Sequence, residues 1–266
     1  MNAVSIATST PNVLGTWSMP FRRVLGAYLA EARSECLRYA RSPGFMLPIL
    51  MLPTVFYLLF GIVMAKTEGA DASRYLLVSY GVFGVMSPGL FGFGVSLALE
   101  RDGGLLTYKR ALPMPPGAYL LGKMVMAMMA AAVVIVLLLA MGVGLAHVAL
   151  APAQALLLLL TGVLGVLPFC AMGMLVGTFI KGQGAPGALN LIYLPMSFLS
   201  GLWVPINMLP KVLQQVAPIW PSYHLHELGL VAVGLGYGNV LEHAGILLGF
   251  AAVFFGIAAR RLRRYG

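Results

Sequence analysis

Six apolar stretches, at residues 45–65, 75–99, 120–146, 154–180, 185–206 and 244–259, decide what this chain can become. A hydrocarbon core of about 30 Å is crossed by roughly 20 helical residues, because a helix satisfies its own backbone hydrogen bonds where no water is present. Five stretches reach that length; the last is shorter and begins roughly a turn earlier than its first apolar residue suggests. No Asp, Glu, Lys or Arg lies deep within any of them. Charged residues are 9% of the chain, against roughly 25% in a soluble domain. An all-α membrane protein with six transmembrane helices is the expected fold class.

The bases give the orientation. The chain has 17 Lys and Arg against eight Asp and Glu. Arg22, Arg23, Arg33, Arg38, Arg41, Arg101, Lys109, Arg110, Lys123, Lys181, Arg260, Arg261, Arg263 and Arg264 fall on one side of a six-span arrangement. Only Lys66, Arg74 and Lys211 fall on the other. By the positive-inside rule both termini are cytoplasmic, and the basic excess reads as a topology signal rather than a nucleic-acid surface. Cys36 and Cys170 should lie at different depths and stay unpaired.

Residues 1–20 have neither the apolar core nor the early basic cluster of a signal peptide and read as a flexible cytoplasmic tail. Residues 21–42 read as an amphipathic interfacial helix, with Phe21, Leu25, Tyr28, Leu29, Ala32 and Cys36 on one face. Arg23, Arg33, Ser34, Arg38 and Arg41 lie largely on the other. Residues 43–266 form one membrane domain, with a cytoplasmic loop at 100–117 and an external segment at 207–239 broken by Pro210, Pro218 and Pro221. The loop, from Glu100 to Gly117, is the one sizeable polar interruption with both acids and bases, and so the natural handle for a soluble partner.

Catalytic signatures are missing. His147, His224, His226 and His243 fall in external segments, and the alternate spacing of His224-Leu225-His226-Glu227 suits no helical zinc pair. Gly117-Ala118-Tyr119-Leu120-Leu121-Gly122-Lys123-Met124 imitates a P-loop, but Met124 stands where Ser or Thr is required and a membrane span follows. No metal and no bound cofactor is expected. Ion-coupled carriers use ionisable groups at membrane depth, so energy should come from another chain. Gly173 and Gly177, and the Gly245, Gly249, Ala252, Gly256 series, allow close helix packing.

Two segments carry a resemblance. Glu100-Arg101-Asp102-Gly103-Gly104-Leu105, running on to Leu112-Pro113, resembles the first cytoplasmic loop of ABC-2 type transporter permeases. Phe198-Leu199-Ser200-Gly201-Leu202-Trp203-Val204-Pro205, continuing to Trp220-Pro221-Ser222-Tyr223-His224, resembles that family's fifth span and the external re-entrant segment behind it. The resemblance implies a half-transporter of a bacterial inner membrane, paired with a second permease copy or a related permease and driven by ABC ATPase subunits that hold the ATP and Mg. It makes Glu100, Arg101, Asp102, Gly103 and Gly104 the ATPase-coupling element, with Arg33 and Arg38 on the second contact. Pro113, Pro115 and Pro116 would stiffen the return to the third span. Pro205, Pro210, Pro218 and Pro221 would shape the external gate, and Phe83, Phe91, Phe93, Asn190, Tyr193, Phe198 and Trp203 the substrate pathway. The implied activity is export of a hydrophobic or amphipathic, drug-like or lipid-like substrate. A polysaccharide or glycolipid is the alternative cargo, and a non-transporting scaffold or a secondary carrier the alternative class.

Overall fold

The computed structural model describes residues 20–64, 70–111, 115 and 117–265. Helix α1 spans Phe21–Ala40. Pro43 opens α2 (Pro43–Phe56), where its fixed φ suits a first helical position and its missing N–H costs nothing. Two further prolines, Pro48 and Pro53, sit inside α2, which then widens into a π-helical segment, Tyr57–Met64. The next rod runs from α3 (Ala70–Ser87) through a second π-helical segment, Pro88–Phe93, into α4 (Gly94–Asp102). Pro88 can neither donate a backbone bond nor sit close to the carbonyl one turn back, and the wider π turn absorbs that misfit without breaking the rod.

At Gly103-Gly104 the rod ends, Gly104 taking φ +75°, a conformation that glycine adopts without penalty. A short helix α5 (Leu105–Ala111) follows, and Pro113 and Pro116 lie outside the described residues. Then come α6 (Ala118–Gly144), α7 (Pro152–Gly165) and α8 (Leu167–Phe179), the last two separated by Val166 alone. The chain finishes with α9 (Ala185–Leu199), α10 (Lys211–Val216), α11 (Pro221–Ala232) and α12 (Val240–Tyr265). There is no strand among the described residues.

Five helical rods are long and apolar enough to cross a membrane: Pro43–Met64, Asp71–Asp102, Ala118–Gly144, Pro152–Phe179 and Val240–Leu262. Sequence predicts a sixth over 185–206, but α9 has only 15 residues, about 22 Å at 1.5 Å per residue. Gly201 at φ +79° stops it, and the amide of Leu202 turns back to the carbonyl of Ser197.

The α3–α4 rod is the centre of the molecule, 83% buried over its most apolar window against 6% for α12. Backbone lies against backbone where α8 crosses it. A Cβ added at Gly173 would stand 2.6 Å from the carbonyl oxygen of Gly89, and one at Gly177 2.6 Å from that of Gly94. The Gly173/Gly177 pair thus packs as its spacing predicts, whereas Gly245, Gly249 and Gly256 on α12 have nothing of this chain within 4 Å. Helix α11 is wedged among α3, α7 and α12, with the ring of His226 2.9 Å from Ser79 Oγ and Leu225 filling the space left by Gly165. Cys36 and Cys170 are both free thiols.

Polar contacts gather the basic segments at one end. Arg101 donates to the carbonyls of Thr178 (2.5 Å) and Ile180 (3.0 Å), and Asp102 accepts the Gly182 amide at 2.6 Å. Arg261 lies over the Phe179 ring at 3.7 Å. At the far end Arg74 donates to the Ala149 carbonyl and Gln154 to that of Val233.

Helix α1 turns an apolar face outward and a charged one inward. Phe21, Leu25, Leu29 and Leu37 are exposed, and the inward face carries Glu31, Glu35 and Tyr39. An outward apolar stripe suits a helix whose surroundings are lipid rather than water.

Candidate functional site

The inward face of α1 builds the site. Glu31, Glu35 and Arg38 recur at helical spacing and so project on one side. The last turns of α4 present Ser96 and Glu100 on one face, the first turns of α6 present Tyr119 and Lys123, and α5 brings Lys109. Gly122 lets α1 and α6 approach closely: a Cβ there would lie 3.1 Å from Glu31 Cγ.

These side chains close into one network. Lys123 Nζ donates to Glu100 Oε1 at 2.9 Å, Glu35 Oε2 at 3.2 Å and Ser96 Oγ at 2.8 Å. Arg38 reaches Glu35 at 2.5 Å and also pairs with Glu100. Lys109 pairs with Glu31 and, at 3.2 Å, with Glu35. The Tyr119 hydroxyl donates to Glu100 Oε2 at 2.5 Å, and its ring lies under the ammonium groups of Lys109 (4.5 Å) and Lys123 (5.0 Å). Three carboxylates thus meet three cations, and the cluster is neutral.

Lys123 is 0% and Glu35 3% exposed. Such charges are held at tolerable cost only when every one is paired, and removing one partner leaves an uncompensated ion. Burial pulls the Arg38 guanidinium down, but Glu100 and Glu35 outweigh it and raise its pKa. Every carboxylate in the network is engaged by at least one cation. The network is a clamp that binds α1 and α5 to the roots of α4 and α6.

The predicted coupling residues divide here. Glu100, expected at a partner surface, is buried in the clamp, because its carboxylate is the shared acceptor for three donors. Arg101 is spent on the end of α8 and Asp102 on Gly182. Arg38 is half-exposed but tied to the two glutamates. Asp102, Gly103, Gly104, Thr107, Tyr108 and Arg33 are exposed. Lys123, counted in the sequence as a cytoplasmic topology signal, is wholly internal, since Glu35 and Glu100 draw it in.

Of the predicted pathway residues, Phe83, Phe91, Tyr193 and Trp203 come together: Tyr193 lies 4.8 Å from Phe83 and 5.3 Å from Phe91, and Phe83 5.7 Å from Trp203. Tyr193 also donates to the Phe83 carbonyl at 2.9 Å. Phe93 is buried elsewhere on the rod, and Asn190 and Phe198 are exposed on α9. Pro205, Pro210, Pro218 and Pro221 each precede or open a short helix of the 206–232 segment.

Sequence reasoning passed over Glu31, Glu35, Lys109, Tyr119 and Lys123 as site residues. A signal was present: Glu31 and Glu35, four apart, are the only acids in α1, and Tyr119 and Lys123 repeat that interval at the start of α6.

Apolar rods around a buried central one, closed at the basic end by a charged clamp, define a multi-pass integral membrane protein. The sequence profile described as ABC-2 type transporter matches residues 27–234, and the chain belongs to that family. It is 29% identical over 237 residues to YvfS of Bacillus subtilis (strain 168), a protein provisionally called a transport permease. That match covers 88% of this chain and 96% of YvfS. A shorter match, 36% over 76 residues, is to Nodulation protein J of Rhizobium leguminosarum bv. viciae, covering 28% of this chain and 29% of that one. The protein is thus a membrane subunit of an ABC transporter, a class that normally works with an ABC ATPase subunit.

Proposed function

We propose that this chain is the permease half of an exporter for a hydrophobic or amphipathic substrate in a bacterial inner membrane. Both termini are cytoplasmic, ATP and Mg belong to the partner ATPase, and a second permease copy completes the pathway. In this reading α9, extended by residues 200–206 and tilted in a locally thinned bilayer, makes the sixth crossing. Helices α10 and α11 form the external re-entrant gate, and the Phe83, Phe91, Tyr193, Trp203 aromatics border the route. The ATPase seats on the exposed surface of Gly103, Gly104, Thr107, Tyr108 and Arg33.

The observation that carries the reading is the clamp. A push on α5 or α1 passes through Lys109, Glu31, Glu35 and Arg38 into Lys123 and Glu100, at the roots of two membrane rods. Its test is purification of the chain with a co-expressed cassette ATPase, comparing wild type with Tyr108→Ala and Arg33→Glu. Both side chains are exposed and neither is in the clamp. Unfolding midpoints should match wild type while ATPase retention falls about tenfold, the loss of one or two interface anchors. Undiminished retention and transport in the double variant would move the docking surface elsewhere.

A further inference from the structure

At the end away from the clamp, two imidazoles meet where α11 packs on α12. His224 Nδ1 lies 2.8 Å from His243 Nδ1, and His224 Nε2 lies 2.8 Å from the Pro218 carbonyl oxygen in the turn Ala217–Ile219. A carbonyl only accepts, so His224 carries its hydrogen on Nε2, and its Nδ1 is a lone pair whenever the ring is neutral. The bridging hydrogen therefore belongs to His243 Nδ1, and the contact fixes both tautomers. Through these two bonds His224, 4% exposed, ties the 217–219 turn and the head of α11 to the first turns of α12.

The pair can take up one proton without parting, but not two. Beside Nε2 of His243 is the space left by Gly238, where a Cβ would stand 2.8 Å from that nitrogen and 3.9 Å from Glu227 Oε2. A proton added to Nε2 keeps the bridging hydrogen in place and has a carboxylate across that space. A second added proton can go only to His224 Nδ1. It sets two N–H groups against each other on two cationic rings whose centroids are 5.1 Å apart.

The charges that face His224 are Glu227 on α11 and Glu242 on α12, with the Tyr223 ring against both imidazoles. The 217–219 turn brings the Pro218 carbonyl, while α3 and α7 bear on α11 elsewhere, at His226 and Gly229. Burial is the main cause that holds the His224 pKa below its ordinary value; the Pro218 carbonyl opposes it and His243 adds to it.

We propose that His224 and His243 form an acid-released latch between α11 and α12, closed while one hydrogen lies between the two Nδ1 atoms and open once each carries its own. Opening frees the head of α11, with the 217–219 turn bound to it, from α12. The latch rests on these contacts alone and holds whether or not the chain exports.

The experiment follows hydrogen exchange of the full chain in phosphatidylcholine nanodiscs between about pH 7.5 and 5, with labelling times scaled to the chemical exchange rate. Peptides of α8, remote from the latch, set the baseline. Exchange over residues 217–247 should rise at least about tenfold relative to that baseline. In the open form two imidazoles each take a proton near pH 6.5, and in the closed form the pair takes only one. His243→Asn places an amide where Nδ1 stood, able to donate to a neutral His224 or accept from a protonated one. It should match wild type at pH 7.5 and lose the acid step. An acid step of wild-type size in His243→Asn, or none in wild type, overturns the proposal. In wild type labelled with 15N-histidine, magnetic resonance at pH 7.5 should show a coupling between two Nδ1 nitrogens, one on a ring of each tautomer. Its absence overturns the proposal even where His243→Asn does not fold.

Discussion

Replacing Lys123 with Met tests whether the clamp is a stabilising unit. The substitution keeps length and packing but removes the shared donor of Glu35, Glu100 and Ser96. Glu100 keeps Arg38 and Tyr119, and Glu35 keeps Arg38 and Lys109, so the cluster goes from neutral to one excess negative charge at a site with almost no exposure. Breaking a buried pair in this way costs about 3–5 kcal/mol. At roughly 2–4 °C per kcal/mol for a chain of this size, the unfolding midpoint should fall by about 10 °C. Cys170, 1% exposed, provides the assay: in a Cys36→Ser background a thiol-reactive dye reports its unmasking on heating. The Lys123→Met/Glu100→Gln double variant restores neutrality and should recover at least a third of the loss, a coupling that a double-mutant cycle isolates. A midpoint for Lys123→Met within about 1 °C of wild type, or a double variant as unstable as the sum of the single ones, would refute the reasoning.

Gly173→Ala places a methyl group 2.6 Å from the Gly89 carbonyl and should cost about 1–3 kcal/mol by forcing α8 off the central rod. Gly249→Ala, which meets nothing in this chain, should leave the same thermal midpoint unchanged in detergent. His226 contributes a pH dependence: burial holds its pKa near 4 against an ordinary 6.5. The unfolded chain therefore takes up a proton that the folded one refuses, and stability present above pH 6.5 drains as pH falls towards 4, at up to about 1.4 kcal/mol per unit. Burial, partly offset by the Pro218 carbonyl, lowers His224 as well, so His226→Gln should flatten but not abolish the slope between pH 7 and 5. Identical slopes in the two proteins would remove this account.

How much of this could be read from the sequence depends on the range of the interaction involved. Apolar runs and the segregation of bases are local or additive, and five of the six predicted stretches coincide with long helices. The Gly173/Gly177 pair was legible because absence of a side chain means the same thing in any context. The end of α9 was not: Ser200 and Gly201 stop a helix that hydropathy alone carries to residue 206. Nor was the depth of Lys123, which depends on glutamates 88 and 23 residues away. The arginines of α1 drew attention to its outer face, while the two acids that fix its orientation look unremarkable until α6 lies beside them.

The chain order of the clamp residues bears on how the protein is made. Glu31, Glu35, Arg38 and Glu100 all leave the ribosome before Lys109, and Lys123 emerges last. A lysine in the first turns of a nascent span can wait at the water boundary with its long stem in lipid. By the time α6 is inserted, the carboxylates that will receive its ammonium are already in place. The final charge thus enters an occupied site rather than a bare one, and the synthesis order spares the membrane an uncompensated ion.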